Sequence, residues 1–274
     1  MALKGLVDKL GVHLGWWPTV AEREKKAKRR EVERSLATGR LQLKKLKGIH
    51  LGRRGFVIGN GPSLRIADLD RLQDEVCIAS NKIHMAFSDT EWRPSFYTIV
   101  DDKVWAQTAS GLHEHVTRVF IPDYLPITVN TKVEIVMFRS LPLAATHEDQ
   151  SELPFSDDAG AGLHGGNTVT YENIQLAMHL GLDPIYLIGC DHFYGGTVGV
   201  EGGSPVQADE ARNHFLPNYA APGEVMNPAL VSRMTRSYQW AKAYADRHGR
   251  SIINATRGGY LEVFPRKDLD ELIG

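Results

Sequence analysis

Residues 55–64 read GFVIGNGPSL, and the reading of the fold turns on how a short apolar run gives way to Gly59, Asn60, Gly61, Pro62 and Ser63. Phe56, Val57 and Ile58 read as a short buried strand. Leu69 and Leu72 follow Ser63 at a spacing that fits a helix start, so the five residues between form a strand-to-helix turn. Such a turn lets backbone N–H groups approach an anion, with glycine permitting the close contact and the helix dipole adding a favourable field. Here it is neither a Walker loop, which needs Gly-Lys-Ser/Thr, nor the spaced-glycine dinucleotide fingerprint.

Working outward, short apolar runs alternate with helical stretches from residue 55 onward, the pattern of a parallel sheet with crossover helices. Strands are expected at 55–58, 75–79, 96–100, 118–121, 133–138, 184–188 and 251–254. A helix over 168–180 is marked by Tyr171, Ile174, Met178 and Gly181, with Asn167 or Thr168 capping its first turn. A second long helix is expected over 228–248, stopped by Gly249. The expected class is α/β: a Rossmann-like open, mostly parallel sheet with helices on both faces, a basic helical extension at 1–47 and a catalytic domain at 48–274. Two stretches, 141–166 and 195–224, are longer than ordinary connections and rich in Gly, Pro and polar residues, which suits binding loops or a lid at about 195–227.

Ligands of open parallel sheets sit beyond the carboxyl ends of the strands. The residues expected there are coherent in chemistry: the 59–63 turn, Ser80 and Asn81, Asp101 and Asp102, Asp191, His192 and Tyr194, and the run from Asn254 to Gly259 with Arg257. A second glycine-rich helix start, GLHGGNTVT at 162–170, places Gly165, Gly166, Asn167 and Thr168 ahead of the 168–180 helix. Two such starts in one sheet suggest a diphosphate or nucleotide held between them.

The 274 residues are 42% hydrophobic and 24% charged, enough to bury a full core. No run approaches the ~18 apolar residues of a membrane span. The N-terminus lacks a secretory h-region and cleavage site, so a cytoplasmic protein is expected. Cys77 and Cys190 lie in separate apolar segments, as buried thiols of a reducing compartment do. Charge is uneven: residues 21–54 hold thirteen Lys and Arg against four Glu. This basic stretch follows Leu6, Leu10, Leu14, Trp16 and Trp17, so it suits either a helix docked on the domain or peripheral attachment to an anionic membrane. Nucleic acid is not an expected partner, because the basic segment lacks interleaved aromatics and carries no binding motif.

Several candidates carry two readings. Asp101 and Asp102 suit Mg²⁺ in diphosphate transfer, or the cap of the next helix. His192 suits a general base, or a histidine satisfied by Asp191 or a backbone carbonyl. Arg257 suits an acceptor carboxylate or phosphate, or a surface ion pair. The spacing of Asp191, His192 and His214 gives no support for zinc, and no metal site is expected.

The segments GFVIGNGPSL, CIASNKI, WRPSFYTIVDD, GGNTVTYENIQLAMHLGLDPIYLIGCDHFY and INATRGGYLEVFPRKDLDEL resemble the 6-hydroxymethylpterin diphosphokinase MptE-like domain family. That family includes bacterial motility accessory factors thought to glycosylate flagellin, and is similar in fold and motif order to the bacterial sialyltransferases of glycosyltransferase family 42. The resemblance covers most of 48–274. It implies that Asn60, Gly61, Ser63 and Asn81 hold a donor nucleotide, with Gly166, Asn167 and Thr168 at a second phosphate-side turn. It also implies that Tyr194 hydrogen-bonds the departing phosphate and that His214, on a lid, is the general base. A histidine titrates near neutral pH and can take an acceptor proton. The expected activity is therefore inverting, metal-independent transfer of an acid sugar from a CMP donor to a glycan, glycolipid or protein, with no cofactor required. The alternative is diphosphate transfer from ATP with Mg²⁺ to a pterin. A nucleotide-binding module without chemistry would follow if His192 and His214 proved dispensable. The reading allows for an oligomer.

Overall fold

The computed structural model describes residues 20–127, 132–143, 153–194, 206–207, 213–219, 224–227 and 229–274. Its strands are β1 (Gly55–Ile58), β2 (Val76–Ser80), β3 (Phe96–Thr98), β4 (Arg118–Pro122), β5 (Glu134–Phe138), β6 (Ser140–Leu141), β7 (Leu163–His164), β8 (Ile185–Ile188), β9 (Val206–Gln207), β10 (Val225–Met226) and β11 (Ile252–Asn254). Its α-helices are α1 (Val20–Leu46), α2 (Ile66–Asp70), α3 (Asp102–Thr108), α4 (Val169–Leu180), α5 (Val231–Arg247) and α6 (Leu269–Ile273). Seven strands form one sheet in the order β11–β8–β1–β2–β3–β4–β5, every neighbouring pair parallel. The order grows from β1 towards β5 and then returns to β8 on β1's other side. The expected α/β sheet is therefore present, with its point of reversal between β1 and β8.

Both faces of the sheet are covered, which explains why the central strands read as unbroken apolar runs. Successive side chains of a strand point to opposite faces, and here they enter two cores. Phe56 and Ile58 pack with Leu69, Trp105 and Leu269, whereas Val57 packs with Ile174, Ala177, Met234 and Tyr238. Cys77 and Cys190 are free and buried, and burial pushes each thiol up to about 12. Helix α4 starts at the expected place: the Thr168 side chain accepts from Thr170 N, and Gly181 closes the helix at φ 86°. Its helical spacing predicts one apolar stripe, yet every residue from Thr170 to Leu180 is buried, because the sheet, α5 and the 153–164 segment enclose it. Helix α5 begins at Val231 and not at 228.

The basic segment is a 27-residue helix whose first part, Val20 to Glu31, is exposed throughout. Its last part belongs to the core: Leu36 joins one hydrophobic cluster and Leu43 the other. Gly39 lets the helix backbone lie directly on edge strand β5, since a β-carbon there would stand 2.0 Å from Met137 O. Helix α1 thus covers one exposed edge of the sheet. The leucines and tryptophans of 6–17 lie outside the described residues. No helix among the described residues is long and apolar enough to cross a membrane.

Candidate functional site

A cleft of about 780 Å³ opens along the carboxyl edge of the sheet. Asn81 reaches it from the end of β2, Asp101 and Asp102 from beyond β3, and Tyr124 from beyond β4. Gly165, Asn167, Thr168 and Glu172 line it from the start of α4, Tyr194 from the segment after β8, and Asn213, His214 and Asn227 from above. Asn81 and Asn167 hold φ of 55° and 58°, a left-handed conformation uncommon outside glycine, and His192 holds 55° at the same edge. Such outliers gather where a surrounding fold enforces them, often at functional sites.

The 59–63 turn is placed differently from the phosphate cradle expected of it. Gly59 N donates to Ile188 O at 2.8 Å, Gly61 N to Gly189 O at 2.8 Å, and Ser63 N and Oγ to the Asp191 carboxylate at 3.2 and 2.8 Å. Pro62 has no N–H to offer. A β-carbon on Gly59 would stand 2.3 Å from Gly189 O, and one on Gly61 2.0 Å from Asp191 Oδ2. The two glycines therefore let the ends of β1 and β8 close on each other, and Asp191 sits where an anion would. Asn60 donates from Nδ2 to Ser80 O at 3.0 Å and accepts Phe215 N at 3.0 Å. Residues 59–63 and Asp191 thus form a bolted floor at the reversal point, and the cleft opens over β2, β3 and β4. Of the two glycine-rich turns expected to hold a nucleotide between them, the second lines the cleft through Gly165, Asn167 and Thr168, whereas on the β1 side the lining asparagine is Asn81 and not Asn60.

Four other expectations sort by the same geometry. His192 Nε2 lies 2.8 Å from Thr235 Oγ1, and the ring lines a separate cavity of about 490 Å³ behind α5 with Tyr260 and Glu262. Arg257 is held by Asp68 and, at 2.9 Å, by Asp270, bridging α2 and α6 away from the cleft. Its ion-pair reading is the one the structure has. Asp101 caps α3, with Oδ1 accepting from Lys103 N at 2.9 Å and Val104 N at 3.0 Å, while Asn227 Nδ2 donates to Asp101 Oδ2 at 3.0 Å and Asp102 Oδ1 at 3.1 Å. Gly166 packs against the Tyr171 ring, where a β-carbon would stand 2.4 Å from Cδ1.

Within 195–227, Asn213, His214 and Asn227 line the cleft, and Tyr219 and Glu224 are tied to Lys82 beside Asn81. Lys82 Nζ meets Glu224 at 2.7 Å and Tyr219 O at 3.2 Å, with side chains only 10% and 16% exposed in the ion pair. His214 stacks flat on Tyr219, centroids 3.8 Å apart. Burial, helped by the nearby Lys82 charge, pulls its pKa down to about 4, so the ring is neutral at pH 7. Burial raises the Tyr194 phenol well above its ordinary value, keeping it a neutral donor. The Glu172 carboxyl is pushed up to about 8 by burial, against the weaker pull of its own backbone N–H. Glu172, Tyr124 and Lys82 were not singled out in the sequence. A glutamate followed by the core residues Ile174, Leu176 and Ala177 was the one signal available for Glu172.

The family model described as 6-hydroxymethylpterin diphosphokinase MptE-like matches residues 33–197, from the docked part of α1 through Tyr194. No curated protein matches the chain. Among solved structures the chain is similar to UDP-N-acetylglucosamine 4-epimerase from Bacillus cereus, at 12% identity and a TM-score of 0.25, over 74% of this chain and 52% of that one. The chain thus spans about half the length of that enzyme. The family match takes in six of the seven strands of the main sheet and every cleft residue up to Tyr194, over well more than half of the sequence: the chain belongs to the 6-hydroxymethylpterin diphosphokinase MptE-like family.

Proposed function

We propose that the chain is a transferase whose cleft binds a nucleotide-activated donor, and that it moves an acid sugar from a CMP donor to a hydroxyl of a glycan, glycolipid or protein acceptor. The observation that carries this reading is the chemistry of the cleft wall. Its described polar groups are amides, hydroxyls, carboxyls and one imidazole, with neither lysine nor arginine among them. A donor whose phosphate carries a single phosphodiester charge, with one further charge on the sugar carboxylate, is held by such neutral donors together with the N-terminus of α4, whereas a triphosphate concentrates about four charges that this wall does not match. In this reading Asn167 and Thr168 receive the phosphate and Tyr194 donates a hydrogen bond to its departing oxygen. His214, neutral at pH 7, takes the acceptor proton.

Diphosphate transfer from ATP is the second reading, supported by the family and by the paired Asp101 and Asp102 on the cleft wall, which would hold Mg²⁺. It is weakened because three of that pair's four oxygens already accept hydrogen bonds from α3 or Asn227. The exposed, cationic first part of α1, including Lys25, Lys26, Lys28, Arg29 and Arg30, suits an anionic lipid surface carrying the acceptor, as in a peripheral protein of the cytoplasmic face.

Thermal unfolding separates the two. At a hundred times its dissociation constant a ligand stabilises by about 2.7 kcal/mol, roughly 5–10 °C for a chain of this size. CMP or CDP is expected to give the larger shift. A larger shift with ATP plus Mg²⁺ would establish the diphosphotransferase instead.

A further inference from the structure

Helix α4 buries polar side chains and satisfies nearly all of them. Gln175 Oε1 accepts from Ser156 N and His164 N, both at 3.0 Å, and its Nε2 donates to His164 O at 2.8 Å. His179 Nε2 meets Leu43 O at 2.8 Å, and Asn173 Oδ1 accepts from Thr98 Oγ1 at 2.7 Å, although Asn173 Nδ2 has no partner among the described residues. Glu172 is different in kind. It is only 7% exposed, its Oε2 has no partner among the described residues, and it stands on the cleft wall one turn beyond Thr168. Its Oε1 lies 3.7 Å from where a β-carbon on Gly165 would be, so the carboxyl sits beside the glycine loop that leads into α4. A carboxyl oxygen buried without a partner is costly, and a ligand that supplies one recovers the cost.

On the donor reading above, from which this inference follows, the phosphate sits at the start of α4. An ionised carboxylate in the same low-dielectric corner would repel it. A protonated carboxyl would instead give it a hydrogen bond. We propose that Glu172 is the proton donor of the transfer step, hydrogen-bonded to the donor phosphate and protonating the oxygen from which the sugar departs. The acceptor oxygen bonds to the anomeric carbon and passes its proton to His214. The anomeric carbon–phosphate oxygen bond breaks, its electron pair stays on that oxygen, and the Glu172 proton goes to it. CMP leaves as a monoanion, Glu172 remains as carboxylate and His214 as imidazolium, and solvent returns the proton from one to the other.

The groups facing Glu172 are compatible with that role. Tyr124 beyond β4, Tyr171 on α4 and Tyr238 on α5 all lie within its field, and burial holds each phenol above its ordinary range. Across the cleft stand Asp101 and Asp102 at the start of α3, Tyr194, and His214, whose ring is held neutral. The pull of burial on Glu172, up to about 8, keeps it protonated at neutral pH.

The test is calorimetric titration of the full chain with CMP at pH 8 in two buffers of different ionisation enthalpy. Wild-type protein is expected to take up on the order of half a proton per CMP bound. Cytidine, which lacks the phosphate, is expected to bind without uptake, and Glu172→Gln to bind CMP within a few-fold of wild type with no uptake. CMP binding with no uptake in wild type, or with the same uptake in Glu172→Gln, overturns the role of Glu172 and leaves the donor reading intact. Failure of CMP to bind at all removes the donor reading and this inference with it. Should Glu172→Gln not fold, Glu172→Met, which carries no proton and buries no unpartnered oxygen, takes its place in the same comparison.

Discussion

Replacing Gly39 by alanine sets two physical effects against each other. Seen as an isolated helical position, Gly39→Ala should stabilise by about 1 kcal/mol, because alanine is the better helix former. The tertiary setting reverses the sign. The new β-carbon would lie 2.0 Å from Met137 O and 2.9 Å from Met137 C and N, where ordinary contact begins at 3.4 Å. The obstacle is backbone in an edge strand, which does not rotate aside as a side chain would. Helix α1 must therefore lift from β5 by roughly the missing 1.4 Å at that point, and a gap of about 1 Å already forfeits a quarter to a half of each van der Waals contact it opens. Leu36 and Leu43, 8% and 1% exposed, sit one turn to either side, and each is worth about 1.5–3 kcal/mol when fully buried. Strain of this kind typically costs about 1–3 kcal/mol. The net expectation is a loss of about 1–3 kcal/mol, read by chemical denaturation, or a melting temperature lower by roughly 2–10 °C. A variant as stable as wild type, or more stable, would refute the packing of α1 on β5 and return the segment to a free appendage.

Two further expectations concern the cleft. Removing the imidazole in His214→Ala should lower turnover with a CMP-activated acid sugar by about 10²–10⁴-fold while CMP affinity stays near wild type; unchanged turnover would show that another group accepts the proton. Glu172 also shapes stability against pH. Its carboxyl titrates at about 8 folded against 4.5 unfolded, so between those values the folded chain holds the extra proton. The cost is absent below pH 4.5, grows as pH rises, and is complete above 8. Glu172→Gln should accordingly gain on wild type through that window, by a few kcal/mol at most, in denaturation curves at pH 5, 7 and 9. A gap that does not widen with pH would mean that Glu172 is ionised in the folded protein.

All seven strands of the main sheet were legible in the chain, within a residue or two, and so was α4, whose cap narrowed to Asn167 or Thr168; the structure selects Thr168 and makes Gly181, read as part of the spacing, the residue that closes the helix. These signals are local. An apolar run of strand length, a capping hydroxyl and a terminating glycine act through neighbouring backbone, so they can be read in order along the sequence. The placement of residues beyond the carboxyl ends of the strands was legible for the same reason, once the sheet was taken to be parallel.

Which of those residues open onto the cleft was not legible, because that depends on partners far away in sequence. Gly59 and Gly61 have the look of a phosphate turn, but Gly189 and Asp191, 130 positions later in each case, take up their space and three of the turn's donors, Gly61 N, Ser63 N and Ser63 Oγ. Arg257 reads as an anion binder until α2 and α6 bring Asp68 and Asp270 to it. Glu172 drew no attention in the sequence, and only the closing of the sheet and α5 around α4 buries it and leaves its Oε2 without a partner among the described residues. Gly39 reads as a weak point in a helix until Met137 lies against it. By itself the sequence determined the sheet, its polarity and the edge at which its polar residues gather, since these follow from periodicity and local backbone chemistry. Only the tertiary structure decided which polar groups are used up in holding the sheet together and which are left with unmet hydrogen-bonding capacity, since a group's partner is set by distance in space and not by distance along the chain.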